Sequence, residues 1–118
     1  MADEALFIGW GDVVRDRERA ALEVFGGSLE YYAQLQQEGK IESFDAWFLA
    51  PHGGDLAGFI LLRGERERLD EVERSPEFEL LTARAGMIVD RIGVVKAYTG
   101  DSLGRLMGQF QQAIDELG

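Results

Sequence analysis

The chain has 118 residues, 46% hydrophobic and 29% charged, with no cysteine and a formal net charge of -10. A chain of this size builds a sufficient core without disulfide or metal staples, so residues 1–118 are expected to form a single domain. The acidic balance argues against nucleic acid and anionic membrane surfaces as partners, and the lack of cysteine excludes disulfides, thiolate catalysis and cysteine-ligated metal.

The opening Met1-Ala2-Asp3-Glu4 is acidic where a secretory signal is basic. The apolar run Leu56 to Leu62 is too short to span a bilayer. A cytoplasmic protein is the expectation.

Ala5 to Trp10 is a short apolar run and reads as the first strand, broken by Gly9, Gly11 and Asp12. From about Asp16 the period changes. Ala21, Leu22, Phe25, Leu29, Tyr32 and Leu35 recur at spacings of three and four, the pattern of an amphipathic helix. Asp12 or Asp16 is positioned to cap its start, and Gly39 to end it. Gly26 and Gly27 lie inside this helix and cost about 1 kcal/mol each relative to alanine. They allow either a close approach of the sheet or a kink.

Ile41 to Ala50 reads as strand two, with Phe44, Ala46, Phe48 and Ala50 on one face and a mixed set, including Asp45 and Trp47, on the other. Pro51-His52-Gly53-Gly54-Asp55 is then a tight hairpin turn. Leu56 to Arg63 is strand three, apolar on both faces. Glu65 to Arg74 is charge-rich, with Leu69 and Val72 as its apolar contacts. Ser75-Pro76-Glu77 is a strong helix start: a capping serine, proline at the first helical position and an acid in the first turn. Phe78, Leu81, Ala85 and Ile88 form the stripe of this second main helix, which ends between Gly86 and Asp90. The last strand follows to about Tyr98. Gly100-Asp101-Ser102 opens a final helix with Leu103, Leu106, Met107, Phe110, Ile114 and Leu117 on one face.

The order is β-α-β-β-α-β plus a C-terminal helix. Right-handed crossovers put both main helices on one face of an antiparallel sheet, and the other face should then alternate with polar residues. Strands one and three do not alternate. The bare face therefore needs a cover. The C-terminal helix covers at most part of it, so a second copy of the chain is the expected lid, in a two-fold homodimer.

This α+β pattern resembles the dimeric α+β barrel superfamily of ferredoxin-like folds, which includes antibiotic-biosynthesis monooxygenases, muconolactone isomerases and stress-responsive barrels. The resemblance spans about Leu6 to Tyr98. It rests on element order, on Gly39-Lys40-Ile41-Glu42-Ser43 entering strand two, and on the Ser75-Pro76-Glu77-Phe78 helix start. It implies a dimeric barrel. Cofactor-independent oxygenases of the superfamily use histidine, tryptophan, asparagine or tyrosine beside the sheet, and haem-binding members need an axial histidine. This chain has no asparagine, and His52 is its one histidine.

His52 is the one side chain whose unperturbed pKa lies near neutrality, which makes it a candidate general base; the alternative is an exposed turn residue. Gly9-Trp10-Gly11-Asp12-Val13-Val14 lacks the third glycine of a dinucleotide-binding turn and reads as turn chemistry. His52-Gly53-Gly54-Asp55 lacks the Gly-x-Ser-x-Gly partner of an esterase oxyanion loop. A buried Asp45 would require a cationic partner, Arg91 or Arg63. That pair either lines a ligand pocket or forms an exposed edge or a dimer bridge. The candidate ligand-binding residues are Trp10, Tyr31, Tyr32, Asp45, Trp47, Phe59 and Arg91, with His52 and Asp45 as catalytic candidates. No metal site and no cofactor are called for.

Three functions remain open: a homodimeric barrel binding a small apolar or aromatic ligand, a cofactor-independent monooxygenase or isomerase, or a non-catalytic interaction module that docks through the C-terminal helix. Whether Asp45 and Trp47 face the helix layer or the subunit interface is also open.

Overall fold

In the computed structural model, which describes residues 2–118 and leaves Met1 outside the described residues, the first strand is β1 (Glu4–Trp10). It is followed by α1 (Glu18–Gln37), β2 (Ser43–Phe48) and β3 (Gly58–Gly64). Then come α2 (Arg66–Arg74), α3 (Pro76–Gly86), β4 (Gly93–Tyr98) and α4 (Gly100–Leu117). The strands form one antiparallel sheet in the order β2-β3-β1-β4.

Register decides which residues share a face. Leu6 pairs with Leu62 and Lys96, Ile8 with Ile60 and Val94, and Leu62 with Phe44. These positions face the helices. Leu6, Ile8, Ile60 and Leu62 join Ala21, Tyr32 and Leu35 of α1, Leu69 and Val72 of α2, and Phe78 of α3 in one buried core. The charge-rich stretch after strand three is thus a helix of its own. Leu69 and Val72 fall three apart, so a single helix face buries both while the charged residues stay outside.

The predicted start of α3 is present in detail. The Ser75 hydroxyl accepts from the Phe78 backbone N–H at 3.2 Å and donates to the Val72 carbonyl at 2.7 Å, with Pro76 in the first turn. The predicted caps of α1 are not. Arg17 occupies the cap position without a side-chain bond, and neither Asp12 nor Asp16 caps the helix. Gly39 does close α1, at a φ of 76° that other residues adopt only with strain. Gly26 and Gly27 do not approach the sheet, because a β-carbon on either would meet nothing within 4 Å.

The β2–β3 connection is longer than a tight hairpin. The strands stop at Phe48 and resume at Gly58, and Leu49 and Ala57 hold the loop base through a 2.8 Å backbone bond. The segment after β1 is not a helix start. Val13 bridges Val89, and Gly11 and Val14 donate to the carbonyls of Asp90 and Ile88 at 2.9 and 2.8 Å.

The other face of the sheet carries Ala5 and Phe7 of β1, Phe59 and Leu61 of β3, Asp45 and Trp47 of β2, and Val95 of β4. Phe7 stacks on Phe59 at 5.2 Å between centroids and Phe59 on Trp47 at 6.4 Å. Trp47 remains 55% exposed and Val95 58%. The C-terminal helix does not cover this surface: Leu103, Met107, Phe110, Ile114 and Leu117 are all exposed. α4 is tied down at its start, where Ser102 donates its backbone N–H and its hydroxyl to Asp3 at 2.9 Å each. The same hydroxyl lies 3.1 Å from Glu4, which also receives Arg66.

Candidate functional site

Between the helices and the sheet lies a half-open cavity of about 500 Å³. Its floor is Ile8, Trp10 and Ile60. One wall is the inner face of α1, from Ala21 through Phe25 and Ser28 to Tyr32. The other is Leu81, Thr82 and Ala85 of α3, continued by Ile88 and Ile92. Val13, Glu18 and Leu22 also line it, Leu22 being 74% exposed.

Small side chains leave this space. Ala21 and Ser28 on α1, and Thr82 and Ala85 on α3, occupy lining positions that larger apolar residues would fill in a close-packed core. One end is aromatic. Phe48 lies 4.9 Å from Phe25 and 6.1 Å from Trp10 between ring centroids, with Trp10 and Phe25 edge to face at 6.1 Å. Gly58 makes room for this cluster: a β-carbon there would sit 2.7 Å from both the Trp10 ring and the Trp47 carbonyl.

The lining is almost wholly apolar, and its few polar groups differ in what they can offer. The Ser28 hydroxyl donates to the Val24 carbonyl at 2.7 Å, and the Thr82 hydroxyl to the Phe78 carbonyl at 2.9 Å. Both protons are therefore used within their own helices. Glu18 accepts from the Asp16 backbone N–H at 3.2 Å. Tyr32 is different. It is 3% exposed, yet its hydroxyl has no hydrogen-bond partner among the described residues and is not sealed off. Among the described residues it is the lining hydroxyl that makes no hydrogen bond within the fold. Burial, with neighbouring Tyr31 adding to it, pushes its pKa well above the ordinary value of 10.0. The hydroxyl thus keeps its proton throughout the physiological range.

Of the candidates read from the sequence, Trp10 and Tyr32 line this cavity. Tyr31 packs beside Tyr32 at 5.6 Å, and its hydroxyl lies 3.4 Å from the Ser75 hydroxyl. Asp45, Trp47 and Phe59 stand on the opposite face of the sheet, which answers the question of strand-two orientation. Asp45 is exposed there and needs no buried cationic partner. Arg91 does not pair with it. That arginine adopts a φ of 52° and lies 3.4 Å from Asp90 and 4.0 Å from Asp55. His52 is exposed in the β2–β3 loop, its Nε2 2.7 Å from the Leu56 carbonyl and its Nδ1 accepting from Gly54 N–H at 3.2 Å. Both ring nitrogens brace the loop.

Phe25, Phe48, Thr82 and Ala85 were missed as site residues. Their signal was present as small or aromatic residues on stripes that read as core, but only the packing shows that α1 and α3 do not close over the sheet.

No family profile and no curated protein matches the sequence. Solved structures do match the fold. A dimeric protein of unknown function with a ferredoxin-like fold from Bacteroides fragilis gives a TM-score of 0.59 at 11% identity, over 81% of this chain and 96% of that one. An ethyl tert-butyl ether D (EthD) family protein from Bacillus halodurans gives 0.61 at 10% identity, over 83% and 99%. SnoaB, a cofactor-independent oxygenase from Streptomyces nogalater, gives 0.54 at 13% identity, over 84% and 95%. The chain therefore has the ferredoxin-like α+β architecture of these proteins, and its resemblance to the dimeric α+β barrels holds at the level of fold. Among the described residues, no helix is long and apolar enough to cross a membrane.

Proposed function

We propose that this chain is a homodimeric α+β barrel protein that binds a small apolar or aromatic molecule between helices and sheet. One observation carries the ligand reading: an apolar cavity of about 500 Å³ lined by Tyr32, whose hydroxyl is not sealed off and has no hydrogen-bond partner among the described residues. That volume lies within the range of about 300–1,000 Å³ common to small-molecule sites, as does the pattern of apolar walls with few polar groups. A thermal-shift screen against quinols and polycyclic aromatics tests it. A ligand at a hundred times its Kd stabilises by about 2.7 kcal/mol. Ala85→Trp, which places an indole in the cavity, should weaken or abolish the shift while the protein stays folded. A shift of undiminished size in Ala85→Trp places the ligand elsewhere.

The dimer reading is supported by the ring row Phe7-Phe59-Trp47 and the exposed stripe of α4. A specific interface takes about 800 Å² per partner. The sheet face together with a helix about 27 Å long supplies apolar surface on that scale. Phe59→Glu should give a monomer in sedimentation velocity. A wild-type chain that stays monomeric at micromolar concentration would defeat the reading.

A second reading makes the cavity the active site of a cofactor-independent monooxygenase or isomerase. The fold shared with SnoaB supports it, and Tyr32 is the proton donor available there. Turnover of any hit should then fall in Tyr32→Phe and persist in His52→Ala and Asp45→Asn.

A further inference from the structure

Resting on the ligand-site reading above, we propose that the cavity selects an uncharged lipophilic molecule bearing one hydrogen-bond acceptor, held by the Tyr32 hydroxyl, and rejects carboxylates and phenolates of the same shape.

Three features of the cavity support this selectivity. The first is the absence of a cation: among the described residues no lysine, arginine or histidine lines it, and Glu18 is the one charged lining side chain. An anion entering the cavity would lose its hydration and gain no countercharge, in a protein of net charge -10. The second concerns cations. Recognition of a quaternary ammonium needs ring faces set apart around it. Trp10, Phe25 and Phe48 instead pack on one another at 4.9 to 6.1 Å between centroids. They fill the gap a cation would occupy. The third is the donor. Ser28 and Thr82 donate to helix carbonyls, which leaves Tyr32 as the hydroxyl with a proton to give. Its preferred partner is an acceptor such as a carbonyl or ether oxygen. The hydroxyl stays protonated because burial disfavours its anion.

The test uses three probes of one ring system, titrated calorimetrically into the full chain at pH 7.5: methyl 2-naphthoate, 2-naphthoate and 2-ethylnaphthalene. The ester should bind at least about tenfold more tightly than the carboxylate, because the carboxylate is desolvated without a partner. It should also bind several-fold more tightly than the hydrocarbon. Tyr32→Phe should weaken the ester about tenfold, the worth of one buried hydrogen bond, and leave the hydrocarbon within about twofold. The variant removes a hydroxyl that bonds to nothing among the described residues, so its fold is not at risk, and its denaturation midpoint verifies this. Equal or tighter binding of the carboxylate overturns the charge selectivity and leaves the cavity reading standing. An ester affinity untouched by Tyr32→Phe overturns the role of that hydroxyl. If none of the three probes binds, the cavity reading itself falls.

Discussion

Tyr32→Phe also tests the structure of the cavity, because the sign of its effect on stability is informative. Most buried tyrosine hydroxyls are hydrogen-bonded, and deleting one costs about 1 kcal/mol. Tyr32 is 3% exposed and its hydroxyl has no partner among the described residues. Leaving a buried hydroxyl unpaired costs about 1–3 kcal/mol, and the phenylalanine ring keeps every apolar contact. Tyr32 lines a half-open cavity and its hydroxyl is not sealed off, so the relief on deletion falls at the low end. The expected change is from zero to about 1 kcal/mol of added stability, or up to roughly 5 °C in Tm for a domain of this size. Urea denaturation at fixed protein concentration measures it, read as a shift in midpoint at unchanged slope. Tyr31→Phe is the matched control: its hydroxyl lies 3.4 Å from Ser75, a long bond whose loss should cost about 0.5 kcal/mol. A loss of more than about 0.5 kcal/mol in Tyr32→Phe would mean that the hydroxyl is bonded within the fold, and the argument built on its freedom would fail.

Gly26→Ala and Gly27→Ala should each stabilise by up to about 1 kcal/mol in chemical denaturation, because α1 is continuous there and a β-carbon meets nothing. A loss of stability in either would show that the bare backbone serves a contact. Acid should destabilise the protein in a defined sense. Arg66 holds the Glu4 carboxyl below its ordinary 4.5, and Ser102 holds Asp3 below 3.8. Both bind their protons less tightly folded than unfolded, so their contribution is complete above about pH 5 and is lost as pH falls through the folded values. Glu4→Gln should cost about 1.5–3 kcal/mol at pH 7 and flatten the acid limb of the stability curve; an unchanged limb would exclude Glu4 as its source. His52→Ala should lower stability by less than about 1 kcal/mol, through loss of two exposed loop bonds, and leave ligand binding unchanged. A loss of binding would return His52 to the list of functional residues.

The elements most legible in the sequence were those with a local cause. The start of α3 was readable because Ser75 and Pro76 act within one turn of themselves, and the end of α1 because Gly39 answers a local backbone demand. α2 was missed because less than one turn of apolar contact, Leu69 and Val72, gives too short a stripe to assert a period. The caps proposed for α1 failed because Asp12 belongs to a segment that pairs with Ile88–Asp90, a partner far away in the chain. The candidate site divided along the same line. Trp10 and Tyr32, which line the cavity, were legible because a large aromatic residue on a buried stripe is visible in one dimension. Asp45 and Trp47 were grouped with them because strand periodicity shows that two residues share a face but not which face it is.

What the sequence alone determined was the order of the strands, the two main helices and the C-terminal helix, and the two-sided apolar character of strands one and three, since both follow from side-chain periods of two and 3.6 along the chain. The register of β2 on β3 was decided only in the tertiary structure. It turned Phe44 and Phe48 toward the helices and sent Asp45 and Trp47 to the bare face. The cavity belongs to the tertiary structure too. It exists because Ala21 and Ser28 of α1 meet Thr82 and Ala85 of α3 across the sheet, and the sum of small volumes on separate elements is a property of their packing.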